Sequence, residues 1–307
     1  MRLRKRPLPW TALFLTATWS LITSNGLRAA EDKFFDSGGV RIRYIDEGEG
    51  EPVLLLHGFA ASLHLQWGAV GILKALSDDY RVIAFDHRGH GRSGKPHDVD
   101  CYGHEMVEDN LRLLDHLDIP KAHIVGYSMG AFITDKLLVE HPERFITATL
   151  AGGGWAKADD ERADFIKDLV ASLEQGNGIG PLLKRLTPEG YSQPGPLQLR
   201  LANKAFSLVN DQTALACVMR GMKQFAVTAD QLKANRVPTL AVIGELDPLK
   251  VTVDELAAVM PNVELSVIEG AGHMQAFRRP EFVRDLKGFL ARHSQRSLPP
   301  PVPATER

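Results

Sequence analysis

Six short apolar runs punctuate the chain: Pro52–Leu56, Tyr80–Phe85, Ala122–Gly126, Ile146–Leu150, Thr239–Ile243 and Val263–Ile268. Runs of this length that lack clear alternation are expected of strands covered on both faces. One stretch differs. Val40, Ile42 and Tyr44 alternate with Arg41 and Arg43, which predicts a half-exposed strand. Ser37-Gly38-Gly39 before it reads as a turn, so the pair is expected to form an antiparallel hairpin at a sheet edge. Between the runs, apolar residues recur at helical spacing. Val70–Leu76 fits a helix, as do Glu105–Leu117 (through Val107, Leu111 and Leu114) and Phe282–Leu290. Strand and helix in alternation imply an α/β protein. The expected core is a mostly parallel eight-stranded sheet with helices on both faces. Ligands of such sheets gather at the carboxyl ends of the strands.

From Ala151 to about Asn235 the alternation stops. Asp159–Gln175, Pro181–Leu186 and Gln212–Phe225 read as helices, and Gly176–Gly180 and Gly190–Pro196 as breaks. The stretch is far longer than one crossover needs. It is expected to be a helical lid, inserted at about residues 152–235, over the strand ends. Trp155, Phe165, Phe206, Met219, Met222 and Phe225 are candidates for pocket lining or for the core of the lid.

The run that ends at Gly126 leads into Gly126-Tyr127-Ser128-Met129-Gly130, then into Ile133, Leu137 and Leu138 at helical spacing. A serine on so abrupt a strand-to-helix turn is held in a strained conformation, and the small residues on either side let neighbouring chain pass close by. Its hydroxyl stands over a helix start, where unpaired N–H groups suit a developing oxyanion. A serine hydroxyl is a weak nucleophile and needs an oriented base. Two later strand ends offer one. Thr239–Gly244 leads to Glu245-Leu246-Asp247-Pro248, and Val263–Ile268 leads to Glu269-Gly270-Ala271-Gly272-His273. The order Ser, Asp, His belongs to this kind of turn. Ser128, Asp247 and His273 are therefore the expected catalytic residues, with Glu245 as a second candidate acid. His57 ends a strand beside this site, while His64, His97, His104, His116 and His141 read as surface or structural residues.

These motifs, together with His57-Gly58-Phe59 and Asp86-His87-Arg88-Gly89-His90-Gly91-Arg92-Ser93, resemble the α/β-hydrolase fold superfamily, in its branch with a helical lid. The likeness covers about Phe34 to His293. It implies that the backbone N–H groups of Phe59 and Met129 form the oxyanion site. Preorganised donors of that kind are worth about 3 kcal/mol each. It implies a scaffold role for the Asp86–Ser93 loop, with Asp86 and Arg88 pinning the site from behind. Relatives that open epoxides or cleave haloalkanes carry Asp where Ser128 stands. Serine points instead to acyl transfer on a small or medium ester, thioester or lactone. Carbon–carbon bond hydrolases and cofactor-free haloperoxidases resemble the chain as well and use the same triad.

Composition narrows the partners. A net charge of −2 argues against a general attraction to nucleic acid. There is no zinc-finger spacing and no G-x-x-x-x-G-K loop, so neither a metal nor a cofactor is expected, and the expected partner is a small ester-like substrate. Cys101 and Cys217 either pair or stand as separate thiols. Ser297–Arg307, with Pro299-Pro300-Pro301 and Pro303, is expected to be a disordered tail after a hydrolase domain at residues 31–296. At the other end, Arg2, Arg4, Lys5 and Arg6 precede an uncharged stretch from Pro7 to Leu27. Residues 1–30 thus have the layout of an export signal, or of an N-terminal membrane anchor if they stay uncleaved. Loss of Met1–Gly26 would take the net charge from −2 to −6. Protein recovered from outside the cytoplasm is expected, by N-terminal sequencing, to begin near Leu27 or Glu31. Intact Met1 in a soluble cytoplasmic fraction would rule out export.

Overall fold

The structure is a computed structural model that describes residues 31–157 and 163–294. The expected signal or anchor and the Pro-rich tail lie outside the described residues, as does part of the Asp159–Gln175 helix. Eight strands form one sheet: β1 Lys33–Ser37, β2 Val40–Glu47, β3 Pro52–Leu56, β4 Arg81–Phe85, β5 Ala122–Tyr127, β6 Phe145–Ala151, β7 Thr239–Gly244 and β8 Val263–Ile268. Their order is β1-β2-β4-β3-β5-β6-β7-β8. β1 and β2 are the antiparallel edge hairpin, β2 meets β4 antiparallel, and every later pairing is parallel.

The apolar runs sort by parity. Leu54, Leu56, Ile83, Phe85, Ile124 and Ile243 face one layer of helices, while Val53, Leu55, Val82, Ala84, Val125 and Val242 face the other. A strand buried on both faces must be apolar at both parities, and that is why these runs do not alternate. The second layer holds α1 (Ile72–Ser77) and a closing helix, Pro280–Arg292. The first holds α2 (His104–His116) and α3 (Met129–Glu140).

Between β6 and β7 the described residues form helices and no extended strand. They are α4 Ala163–Glu174, α5 Gly180–Arg185, α6 Pro196–Ser207, α7 Gln212–Gly221 and α8 Ala229–Ala234, with a 3₁₀ turn at Met222–Phe225. The helix α6 is not marked by the apolar spacing. Only Ala202 and Phe206 on it are buried, and Leu197 and Leu201 face solvent. Its signal is at the start instead: Pro196 is the first helical residue, and the Gln198 side chain accepts from the Gly195 N–H at 2.7 Å. β8 also departs from expectation. It is an edge strand of the sheet, with no further strand paired to it among the described residues, and Leu265 and Val267 are nearly half exposed. The helix α9 (Lys250–Val259) lies between β7 and β8, and α10 (His273–Ala276) and α11 (Pro280–Arg292) follow β8.

Cys101 and Cys217 are both free thiols. No described helix is long and apolar enough to cross a membrane.

The loop after β4 is tied down by buried charge. Arg88 meets Asp109 of α2 in a bidentate pair, Nε to Oδ2 at 2.8 Å and Nη2 to Oδ1 at 2.7 Å. Both side chains are sealed from water, at 1% and 0% exposure. Arg88 also donates to the carbonyls of Cys101 and Ser37, and the Ser37 hydroxyl donates to Asp109. Every acceptor in this cluster is thereby used. Breaking one side of such a pair strands a charge in a low dielectric, which costs about 3–5 kcal/mol. Arg88→Met is expected to lower stability by about that much in urea unfolding, and Arg88→Met with Asp109→Leu is expected to recover most of it. A single variant as stable as the parent would show that the pair contributes nothing.

Candidate active site

The serine sits where β5 breaks into α3. Ser128 has φ 56° and ψ −113°, a conformation that L-residues rarely adopt. Three features hold it there. The Ser128 N–H donates to the Ala151 carbonyl at 2.7 Å, which ties the turn to β6. A side chain at Gly126 would meet the Gly130 carbonyl oxygen at 2.1 Å, and one at Gly130 would meet the Leu56 carbonyl at 2.4 Å. Only glycine fits either place, and so the strand end, the helix start and β3 can close on one another.

His273 and Asp247 arrive from two further strand ends. The His273 Nε2 lies 3.1 Å from the Ser128 Oγ, and its Nδ1 lies 2.8 Å from the Asp247 Oδ2. Asp247 accepts a second bond, from the Leu249 N–H at 2.9 Å. A carboxylate accepts only, so Nδ1 carries the proton and donates to it. That leaves the Nε2 lone pair to receive the serine proton. Asp247 is fully buried and His273 nearly so, 0% and 4% exposed, which strengthens the contact between them. A side chain at Gly244 would meet the Ala271 carbonyl at 2.3 Å, so the end of β7 lies directly against the histidine loop.

Glu245, the second candidate acid, does not reach the imidazole. Its Oε2 accepts from the Gly270 N–H at 2.8 Å, and it fastens the loop that carries His273. Sequence reasoning gave no role to Tyr127. Its buried phenol donates to the His273 carbonyl, and its ring lies 5.4 Å from the imidazole. Burial pushes that phenol well above its ordinary pKa, so it is a neutral donor. Its position next to the nucleophile was the only signal available.

Opposite the serine runs the turn after β3. A side chain at Gly58 would sit 3.2 Å from the Ser128 Cβ, so the His57–Phe59 backbone passes directly beside Ser128. Phe59 and Met129 both line the cavity into which Ser128 opens. His57 braces the turn. Its Nδ1–H donates to the Gly58 carbonyl at 2.8 Å, and its Nε2 accepts from the His87 N–H at 3.0 Å. The bond accepted at Nε2 needs the neutral ring. His57, His87 and His90 pack ring to ring, with centroids 4.6 and 5.2 Å from His57. Burial pushes His57 below the ordinary imidazole pKa, and His87 and His90 well below it. Asp86 lies behind the turn and accepts from the N–H groups of Leu63 and Arg92 and from Arg43.

The cavity holds about 180 Å³. Its apolar wall includes Phe132, Phe165, Met219, Met222 and Leu249. Of the aromatic and methionine residues that the sequence nominated, Phe165, Met219 and Met222 line it. Phe206 and Phe225 are instead buried in the core, and the Trp155 Nε1–H donates to the Val227 carbonyl. Among the described residues, no group of three or more His, Cys, Asp or Glu is placed to hold a metal ion.

A family model described as "alpha/beta hydrolase fold" matches residues 51–280. A non-heme chloroperoxidase of Kitasatospora aureofaciens is 32% identical over 82% of this chain and 96% of its own. The 2-hydroxy-6-oxo-6-(2'-aminophenyl)hexa-2,4-dienoic acid hydrolase of Metapseudomonas resinovorans is 25% identical over 89% of this chain and 95% of its own. The solved structure of an N-acyl homoserine lactone degrading enzyme superposes with a TM-score of 0.66 at 29% identity, covering 84% of this chain and 100% of that one. The chain belongs to the α/β-hydrolase fold family and is an enzyme of that type.

Proposed function

We propose that the chain is a serine hydrolase that cleaves a small or medium carboxylic ester or lactone through an acyl-enzyme on Ser128. The observation that carries this reading is the unbroken line Ser128 Oγ, His273 Nε2, His273 Nδ1, Asp247 Oδ2, at 3.1 and 2.8 Å. Ser128 Oγ attacks the carbonyl carbon, and His273 takes its proton. The carbonyl oxygen becomes an oxyanion that the Phe59 and Met129 N–H groups receive. Asp247 stabilises the imidazolium without itself being protonated. Collapse of the intermediate expels the alcohol, which takes the proton from His273. Water, deprotonated by His273, then attacks the acyl carbon, releases the acid and restores Ser128. The helical segment of residues 163–234 acts as the lid, since α4, α7 and the turn after it supply Phe165, Met219 and Met222 to the cavity wall. A cavity of about 180 Å³ is small beside the roughly 300–1,000 Å³ of drug-sized sites, which favours a compact substrate.

A second reading, hydrolysis of a carbon–carbon bond beside a ketone, draws support from the likeness to the dienoic acid hydrolase. It uses the same triad. A panel of p-nitrophenyl esters against vinylogous diketones separates the two.

Ser128→Ala and His273→Ala are each expected to remove nearly all turnover and labelling by a fluorophosphonate probe, and the double variant to cost little more, because the residues share one step. Asp247→Asn is expected to lose on the order of 10⁴-fold in kcat, since it favours the wrong imidazole tautomer. Glu245→Gln is expected to cost far less. Circular dichroism checks that all the variants fold. Turnover by Ser128→Ala would overturn the reading, and loss in Glu245→Gln with activity kept in Asp247→Asn would reassign the acid.

A further inference from the structure

The wall of the cavity around Ser128 is apolar except for its cations. Lys157, Arg185 and Lys223 line it, and none of its described lining residues is acidic. They come from three separate places: the segment after β6, the last residue of α5 and the 3₁₀ turn after α7. Lys157 is neutralised, with its Nζ 2.7 Å from Glu255 and 4.7 Å from the Trp155 ring centre. Arg185 and Lys223 pair with no carboxylate among the described residues. The Arg185 guanidinium stands 5.6 Å from the centre of the Phe165 ring, which itself lines the cavity. Both side chains are exposed, so they form a positive rim to an apolar chamber.

That rim runs against the charge of the whole. The chain carries −2 overall, and a negative protein repels an anionic substrate. Two cations that have no carboxylate partner among the described residues, set beside a low-dielectric wall, favour an anion at the entrance by focusing the field. An exposed ion pair adds little static affinity. Its main effect is on the rate of productive encounter, and salt screens it over about 8–10 Å.

We propose that the substrate is an anionic acyl compound: a short ester or lactone whose end remote from the scissile carbonyl bears a carboxylate. The apolar wall takes the carbon chain, and Arg185 and Lys223 take the carboxylate. Water adds across the acyl bond as above, and the remote carboxylate passes through unchanged. The inference rests on the acyl-transfer reading, and names the substrate class for the same site.

The test compares mono-p-nitrophenyl adipate with p-nitrophenyl hexanoate, which have the same chain length with and without the terminal charge. At low ionic strength, kcat/KM for the adipate ester is expected to exceed that for the hexanoate ester by about fivefold, and the excess is expected to shrink in about 0.5 M NaCl. In Arg185→Gln with Lys223→Gln the ratio is expected to fall to one or below. A ratio taken within one preparation is insensitive to any loss of folded protein. A parent ratio at or below one, or a ratio that the double variant leaves in place, overturns the proposal. If neither ester is turned over, the hydrolase reading falls, and calorimetry with hexanoate and hexan-1-ol decides the anion site by itself. Tighter binding of hexanoate by the parent but not by the double variant supports it, and equal binding of the two ligands by the parent overturns it.

Discussion

The constraint on which the site depends is the backbone of Ser128. A non-glycine residue at φ 56° stores about 1–3 kcal/mol, and that cost is sustained only by what surrounds it. Here the surroundings are the central parallel strands. β6 receives the serine N–H, β3 packs against Gly130, and β5 ends in the glycine that lets α3 fold back over it. The sheet is thus the device that keeps Ser128 in a conformation it would not hold alone. It also sets where the partners come from. Parallel strands share one carboxyl edge, so the loops after β5, β7 and β8 emerge side by side.

A nearby acid is not enough to make a triad. Glu245 and Asp247 are two residues apart at the same strand end, yet only Asp247 turns its carboxylate to the imidazole. The turn Asp247 N–H to Gly244 carbonyl, at 3.1 Å, and the bond from Leu249 fix its rotamer. Glu245 spends its acceptor on the Gly270 N–H. Hydrogen bonding makes the same distinction at the opposite wall. His57 cannot act as a base, because its free lone pair is already taken by the His87 N–H.

Much of this was legible in the sequence for a physical reason. Strands buried on both faces must be apolar throughout, and a strained serine needs glycine two residues before and after it. Pattern therefore marks both β5 and Gly126 to Gly130. What pattern did not mark was set by tertiary contact. The helix α6 buries too little to show a period, and β8 reads like a central strand although it lies at the sheet edge with Leu265 and Val267 exposed. Three of the six proposed lining residues face the cavity and three do not, because the segment between β6 and β7 buries apolar side chains in the core as well as along the pocket. Lys157, Arg185 and Lys223 have no common spacing at all, and only the fold brings them to one wall.

The contact between Ser128 and His273 joins residues 145 positions apart, and His273 follows the last strand of the sheet. Closing so long a loop is slow compared with forming local helices and hairpins. During synthesis from the N-terminus, Ser128, its turn and the His57–Phe59 backbone can all be in place while His273 has not yet been made. A partly synthesised chain, or one cut anywhere before β8, carries an unactivated hydroxyl. On the proposed acyl-transfer reading, activity therefore begins only when the sheet is complete, and turnover reports that the final strand has docked.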